Sequence, residues 1–191
     1  MLIHFWGVRG SLPTPLTPQQ VQSKIMAAVQ RVTLDDIKDE ESRARFVSSL
    51  PSWIFGTAGG NTTCVEVKSQ GNELIFDAGT GLRLLGKSGN LPKDKKYNFF
   101  FTHFHWDHIQ GFPFFDAAYD PESEFNIYSI HENTKKVLEE QMNQPYYPVP
   151  FTALTKKMNF MTLIPGSPIN LGDTKIIFFV FWKICRFSEK S

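Results

Sequence analysis

The sequence contains few cysteines and almost no net charge, and both absences exclude classes of protein. Only two cysteines occur in 191 residues. Cys64 and Cys185 fit neither a zinc-binding nor a redox spacing, so buried free thiols are favoured over a disulfide. The formal net charge is +1, and the scattered basic residues create no field that would attract nucleic acid. We therefore expect no strong nucleic-acid binding.

Long apolar runs are also missing. No apolar stretch reaches the length needed to span a membrane, and the N-terminal segment lacks the charged and apolar regions of a signal peptide. Together with free thiols, these absences predict a cytoplasmic protein with no membrane partner. What the chain has in abundance is phenylalanine, with 18 residues. Because no low-complexity linker divides it, we expect one domain over residues 1–191 with a phenylalanine-rich core.

The apolar spacing predicts a mixed α/β chain in which strands predominate. Leu2–Val8 is predicted to be a buried strand. Thr17, Pro18 and Gln20 have the arrangement of a capping box, so a helix should begin there with one apolar face, formed by Val21, Ile25, Val29 and Val32. Further helices are predicted at Leu34–Leu50 and about Asn133–Met142, and further strands at Thr62–Val67, Leu74–Phe76, Asn98–Thr102, Phe125–Ile130, Asn159–Ile164 and Ile176–Phe181.

Four residues able to bind a metal lie within six positions: His103, His105, Asp107 and His108. They follow the apolar run that ends at Phe101, and functional groups often collect at strand ends. In an extended segment, His103 and His105 project to one side and can face one metal, while Asp107 and His108 could face a second. A bound metal can lower the pKa of its water from roughly 15.7 to about 7, so hydrolysis is the first hypothesis.

The alternative is that these are ordinary polar residues of a loop. That interpretation would be preferred for any one of them alone, but the crowding of three of the chain's five histidines with a carboxylate disfavours it. The remaining histidines are better explained structurally: His4 lies on the first predicted strand, and His131 lies between a strand and a helix.

The cluster resembles the H-x-H-x-D-H signature of metallo-β-lactamase-fold hydrolases. Other segments are similar to the phosphodiesterase-like branch of that family, which includes ribonuclease Z and the cyclic phosphodiesterase of phosphonate breakdown. These segments are Phe5-Trp6-Gly7-Val8-Arg9-Gly10-Ser11, Gly59-Gly60-Asn61-Thr62-Thr63-Cys64, Phe76-Asp77-Ala78-Gly79-Thr80-Gly81 and Gln144-Pro145-Tyr146-Tyr147-Pro148.

The resemblance implies an α/β (layered α+β) fold, the αββα sandwich, with two metals at one edge. It implies that His103 and His105 bind the first metal, that Asp107 and His108 bind the second, and that Asp77 supports the loop from beneath. Asp107 is also the candidate catalytic residue. The expected cofactor is a divalent metal, zinc before manganese or iron, and the expected substrate is a small-molecule or nucleotide-like phosphodiester.

The family pattern is incomplete downstream. The family adds two later histidines and an aspartate that bridges the metals, whereas no histidine follows His131 and the only later aspartate, Asp173, has neighbours typical of a hairpin turn. We therefore expect an incomplete sandwich that lacks its second half, and truncation or a shifted reading frame near Val180 is the simplest account. Three hypotheses remain: a metal-dependent hydrolase, an impaired remnant that binds metal weakly, and a homodimer whose chains complete each other's sites.

Overall fold

The computed structural model describes residues 1–57 and 60–179, and its elements follow the predicted mixed α/β order. The helices are α1 (Pro18–Val29), α2 (Leu34–Ile37), α3 (Glu40–Ser49), α4 (Ser52–Phe55), α5 (Gly81–Lys87), α6 (Trp106–Ile109) and α7 (Thr134–Gln141). The strands are β1 (Leu2–Gly7), β2 (Cys64–Ser69), β3 (Asn72–Phe76), β4 (Lys96–Phe101), β5 (Glu124–Ser129), β6 (Met158–Thr162), β7 (Pro168–Leu171) and β8 (Thr174–Ile177). None of the helices in this part of the chain is both long and apolar enough to cross a membrane.

Six strands form one sheet in the order β1-β2-β3-β4-β5-β6. The first three strands pair in antiparallel fashion, and β3 to β6 pair in parallel. Because parallel strands end at the same edge of a sheet, the segments that follow β3 and β4 emerge side by side. This places Asp77 next to the histidine-rich segment.

Phenylalanine dominates the core on one face of the sheet, as the composition predicts. Phe99, Phe101, Phe112, Phe115 and Phe125 are all completely buried. Several of these rings meet edge to face, an arrangement that aromatic quadrupoles favour. Each buried phenylalanine stabilises the fold by about 1.5–3 kcal/mol relative to an exposed one. Apolar residues of α5 and α7 complete this layer.

The opposite face of the sheet is covered by a hairpin. Phe100 stacks on Tyr128 with ring centroids 4.5 Å apart, and the β7–β8 hairpin packs its apolar residues against this pair. The turn of the hairpin contains Asp173, as its neighbours predict. Helices α5 and α7, the sheet and the hairpin thus form three successive layers, and within the described residues β7 and β8 alone represent the second sheet.

The first strand is not buried, and that prediction was wrong. Leu2, Ile3 and Phe5 are 61%, 46% and 64% exposed. The reason is the position of β1 at the edge of the sheet, where it pairs only with β2 and only its end is buried. Apolar alternation predicts a strand, but it does not distinguish an edge strand from a central one.

The helices differ from prediction in three respects. The capping box at Thr17 is present, but α1 ends at Val29 and its apolar face is exposed. The single helix predicted at Leu34–Leu50 is divided, because the Asp39 side chain accepts a hydrogen bond of 2.7 Å from the Ser42 N–H and begins a new helix. Helix α5 was not predicted, since its two glycines disfavour a helix that tertiary packing stabilises.

Two predictions extend beyond the described residues. Cys64 is a completely buried free thiol, and burial raises its pKa, whereas Cys185 lies outside the described residues. The last predicted strand, Ile176–Phe181, overlaps β8, but positions 180 and 181 also lie outside them. Gly59, the first residue of the family-like segment that ends at Cys64, lies outside them as well.

Candidate metal centre

The site is built around Asp77, which follows β3 directly. This residue is 2% exposed and adopts a left-handed conformation with φ 58°, which aspartate tolerates better than most residues. Its N–H donates to the Phe100 carbonyl at 3.0 Å and so continues the parallel pairing to the end of β4. The carboxylate therefore lies beneath the first residues of the histidine-rich segment.

Hydrogen bonds accepted by the Asp77 carboxylate hold both ends of that segment. Thr102 donates its backbone N–H to Oδ1 at 2.8 Å, and its hydroxyl lies within 2.9 Å of both carboxylate oxygens. At the other end, His108 Nδ1 lies 2.8 Å from Oδ2. A carboxylate only accepts, so the Nδ1 proton points to Asp77 and Nε2 is directed away from it.

The contact with Asp77 also affects the protonation of His108. Burial alone would lower its pKa, but the hydrogen bond and negative charge of Asp77 outweigh burial, and the pKa is raised. The Nε2 atom lies 3.6 Å from Oδ2 of Asp107. The two donors assigned to one metal by the resemblance are therefore adjacent in the fold.

The other two histidines lie beside this pair. The ring centroids of His103 and His108 are 3.9 Å apart, and those of His103 and His105 are 4.5 Å apart. Burial, followed by the charges of His108 and His105, lowers the pKa of His103. Neutral imidazole is the form that binds metals, so the lowered pKa of His103 favours its role as a metal ligand.

Asp107 lies in the first turn of α6 and is 8% exposed. Its Oδ2 accepts the backbone N–H of Ser11 at 2.9 Å. Burial raises the pKa of this carboxyl. The hydrogen bond from the Ser11 N–H and the charge of His108 lower the pKa, and together with smaller effects they outweigh burial, so the net shift is downward. Asp107 is therefore ionised at neutral pH, as a metal ligand must be.

Close backbone packing under the site explains Gly79, in the motif that follows β3, and Gly111, just after α6. A Cβ atom at Gly79 would lie 2.3 Å from the Asp107 carbonyl oxygen, and one at Gly111 would lie 2.0 Å from the Gly79 carbonyl oxygen. Real Cβ atoms do not approach so closely. The glycines allow the segment after Asp77 to contact α6 through its backbone.

Sequence reasoning missed several residues that organise the site. Thr62 is completely buried and exchanges hydrogen bonds with Thr80 in both directions, at 2.8 and 2.9 Å. Gln110 Nε2 donates to the same Thr62 hydroxyl at 3.1 Å. Ser11, Thr62 and Thr80 lie within the family-like segments, so those motifs contained a signal. Gln110 lies just after the histidine-rich cluster, and nothing in the sequence indicated its role.

The chemistry of these donors fits a divalent metal. Imidazole and carboxylate together suit zinc, manganese and iron, and the 3.6 Å between His108 Nε2 and Asp107 Oδ2 can be spanned by one ion with bonds of about 2.0–2.2 Å. However, the donors come together only in pairs. Over residues 1–57 and 60–179, no group of three or more His, Cys, Asp or Glu side chains could hold a metal ion.

The residues outside the cluster do not join it. His4 stacks on Trp6 with centroids 4.1 Å apart, and His131 contacts the ring of Phe104. Asp173 belongs to the β7–β8 turn. None of the three therefore supplies a donor for the ligands that the family pattern lacks.

No protein-family model and no curated relative matches this sequence. Solved structures do match. A new diphosphatase from the PhnP family has 18% identity and a TM-score of 0.52, over 92% of this chain and 54% of that chain. The metallo-β-lactamase fold protein YhfI from Bacillus subtilis has 18% identity and a TM-score of 0.44, over 62% and 44%. Yeast PDE1 has 16% identity and a TM-score of 0.40, over 59% and 48%.

The similarity to the PhnP-family diphosphatase includes nearly the whole of this chain, and this chain spans about half the length of that structure. The chain therefore has the metallo-β-lactamase fold.

Proposed function

We propose that this chain provides the histidine-rich half of the active centre of a metal-dependent phosphodiester hydrolase. The observation that carries the proposal is the contact between Asp77 and His108 Nδ1 at 2.8 Å, which directs Nε2 toward Asp107. Histidines that bind metals almost always donate their other ring nitrogen to a carboxylate, a carbonyl or water. Asp77 occupies that place for His108 while it also accepts hydrogen bonds from Thr102.

Each residue has a definite part in this proposal. His103 and His105 would hold one metal through neutral imidazoles, and His108 with Asp107 would hold the second. Bound metals would activate water at neutral pH and stabilise the charge that grows on a phosphoryl group. Asp107 remains the candidate catalytic residue, because its ionised carboxylate would contact the metal beside the reacting group.

The substrate class rests on the family-like segments and on the similarity of the fold to a diphosphatase. We propose a small-molecule or nucleotide-like phosphodiester, zinc before manganese or iron, and the cytoplasm as the location. A homodimer in which two chains complete each other's sites ranks last. The segments that contain Ser11 and Asp77 are among those similar to the phosphodiesterase-like branch, and both residues contact the metal-binding motif directly.

A second candidate is a weak metal-binding module that lacks turnover. It is favoured by the absence, among the described residues, of any group of three donors around one ion. Zinc sites with high affinity usually have three or four protein ligands, so two-ligand sites predict low affinity. The two candidates share metal binding at the cluster and differ in catalysis.

One experiment separates them. Protein purified without chelators is analysed for metal content and for hydrolysis of a bis-aryl phosphate diester, with His103→Ala as the test variant and His131→Ala as the matched control. The hydrolase predicts bound metal and turnover that His103→Ala abolishes and His131→Ala preserves. Metal binding without turnover would favour the module. Metal-free, inactive protein unaffected by His103→Ala would contradict both.

A further inference from the structure

We infer that the backbone N–H of Ser11 is a positioning group that orients the Asp107 carboxylate for metal binding. The inference rests on the proposed function and adds a residue that belongs to no metal-ligand motif. Ser11 lies 96 positions before Asp107 in the chain, yet its N–H donates to Oδ2 at 2.9 Å. That oxygen is the one 3.6 Å from His108 Nε2.

The conformation of Ser11 points to a specific role for this contact. Its φ is 56°, in the left-handed region, which costs most residues other than glycine about 1 kcal/mol or more. Such a conformation persists only where surrounding structure holds it. At Ser11 this strained conformation directs the backbone N–H at the buried Asp107 carboxylate.

The loop that contains Ser11 is anchored on both sides. The N–H groups of Val8 and Arg9 both donate to the Asn61 carbonyl, at 3.0 and 2.9 Å. After the loop, the Thr14 N–H donates to the Gly60 carbonyl at 2.8 Å. The chain is thus hydrogen-bonded on both sides of Ser11 to the same short segment before β2.

That segment is in turn tied to the helix that carries Asp107. The Thr62 hydroxyl accepts hydrogen bonds from the Thr80 N–H and from Gln110 Nε2, and Gln110 caps the end of α6. Hydrogen bonds and short chain segments therefore connect the Ser11 loop, through Thr62 and Gln110, to the helix that carries Asp107. These connections hold the Ser11 N–H near the Asp107 carboxylate without any metal.

The consequence for the site is restricted rotation of the Asp107 side chain. With Oδ2 held by Ser11, the carboxylate stays beside His108 instead of turning toward solvent. Groups that orient metal ligands typically change metal affinity by 10- to 100-fold when they are lost. We expect an effect of about that size on the metal shared by Asp107 and His108, and no effect on the His103 and His105 pair.

Three variants test the role of the N–H. Ser11→Val introduces a β-branched residue that does not tolerate a φ of 56° and should move the N–H away. Ser11→Gly adopts this φ freely and keeps the N–H, although it also lacks the hydroxyl. Leu12→Val is the control for branching at an exposed position of the same loop. Metal affinity is measured by competition with a chromophoric chelator, so turnover is not required.

Ser11→Val is expected to bind one metal about 10- to 100-fold more weakly, while Ser11→Gly and Leu12→Val bind as the wild type does. Unchanged affinity in Ser11→Val would overturn the inference and leave the proposed function intact. Equal weakening in both Ser11 variants would assign the effect to the hydroxyl and also overturn it. A wild type that binds no metal would overturn the proposed function and this role together.

The contact itself is tested without metal. In metal-free protein, the Ser11 amide should exchange with deuterium more slowly in the wild type than in Asp107→Ala, measured by NMR. Equal exchange rates would show that the carboxylate does not hold this N–H, and would overturn the inference whatever the metal affinities are.

Discussion

A buried cluster of charges between β2 and β3 makes the stability of the protein depend on pH. Glu66 and Glu73 lie on neighbouring strands, and Lys68 Nζ lies 2.9 Å from Glu66 Oε1 and 3.3 Å from Glu73 Oε2. Trp6 Nε1 also donates to Glu66, at 3.0 Å. Two carboxylates thus share one ammonium in a site where the Glu73 side chain is only 13% exposed.

Burial and the negative charge of Glu66 raise the pKa of Glu73 from 4.5 to about 7, despite the opposing effect of Lys68. The folded protein therefore holds a proton at Glu73 up to about pH 7, whereas the unfolded chain releases it near pH 4.5. Between these values the folded state binds more protons, so the free energy of unfolding falls as pH rises. The full difference corresponds to about 3 kcal/mol, at 1.36 kcal/mol per pH unit.

Glu73→Gln removes the ionisation and should remove this part of the pH dependence. Between pH 5 and pH 8, the free energy of unfolding measured in urea should fall by about 2–3 kcal/mol more in the wild type than in Glu73→Gln. With slopes of about 1–3 kcal/mol per molar urea, the midpoints should differ by on the order of 1 M. Glu132→Gln, at an exposed position, is the matched control and should follow the wild type.

Parallel losses of stability in the wild type and Glu73→Gln would refute this reasoning. The proton is shared by a coupled pair, so Glu66→Gln provides a further comparison. If Glu66→Gln removes the pH dependence while Glu73→Gln does not, the proton resides on Glu66 and our assignment to Glu73 is wrong.

Three further predictions concern the site. Asp77→Asn should weaken metal binding about 10- to 100-fold in calorimetric titrations, because His108 loses its carboxylate partner; unchanged affinity would contradict this. Thr62→Val leaves the partly buried Thr80 N–H and Gln110 Nε2 without their acceptor and should lower the free energy of unfolding by about 1–3 kcal/mol in urea titrations, where an unchanged midpoint would count against it. Gly79→Ala should prevent stable folding, measured by thermal denaturation, whereas Gly10→Ala, with open space around it, should not.

Local signals in the sequence were sufficient for much of the fold. Strand β4 was predicted from its apolar run, and the start of α1 from the capping box at Thr17. Both depend on neighbours within a few positions, so the chain specifies them without reference to the rest of the molecule. The division of the helix at Asp39 was missed, although it is also local, because a single capping side chain outweighed a continuous helical pattern.

Contacts between residues far apart in the sequence could not be predicted from the sequence pattern. Nothing local indicates that β1 lies at an edge, and α5 forms despite two glycines because the core covers its buried leucines. The Ser11 N–H meets Asp107 across 96 positions, and Thr62 meets Gln110 across 48. Such pairs are set by the strand order, which depends on how the whole sheet assembles.

The sequence by itself determined which atoms can bind a metal, since four donors within six positions at a strand end are a property of the local chain. Only the tertiary structure decided how they are held. The parallel pairing of β3 and β4 places Asp77 under His108, and the anchored loop brings the Ser11 N–H to Asp107. The spacing of a motif supplies ligand chemistry, but ligand orientation comes from side chains and backbone groups that folding brings from elsewhere in the chain.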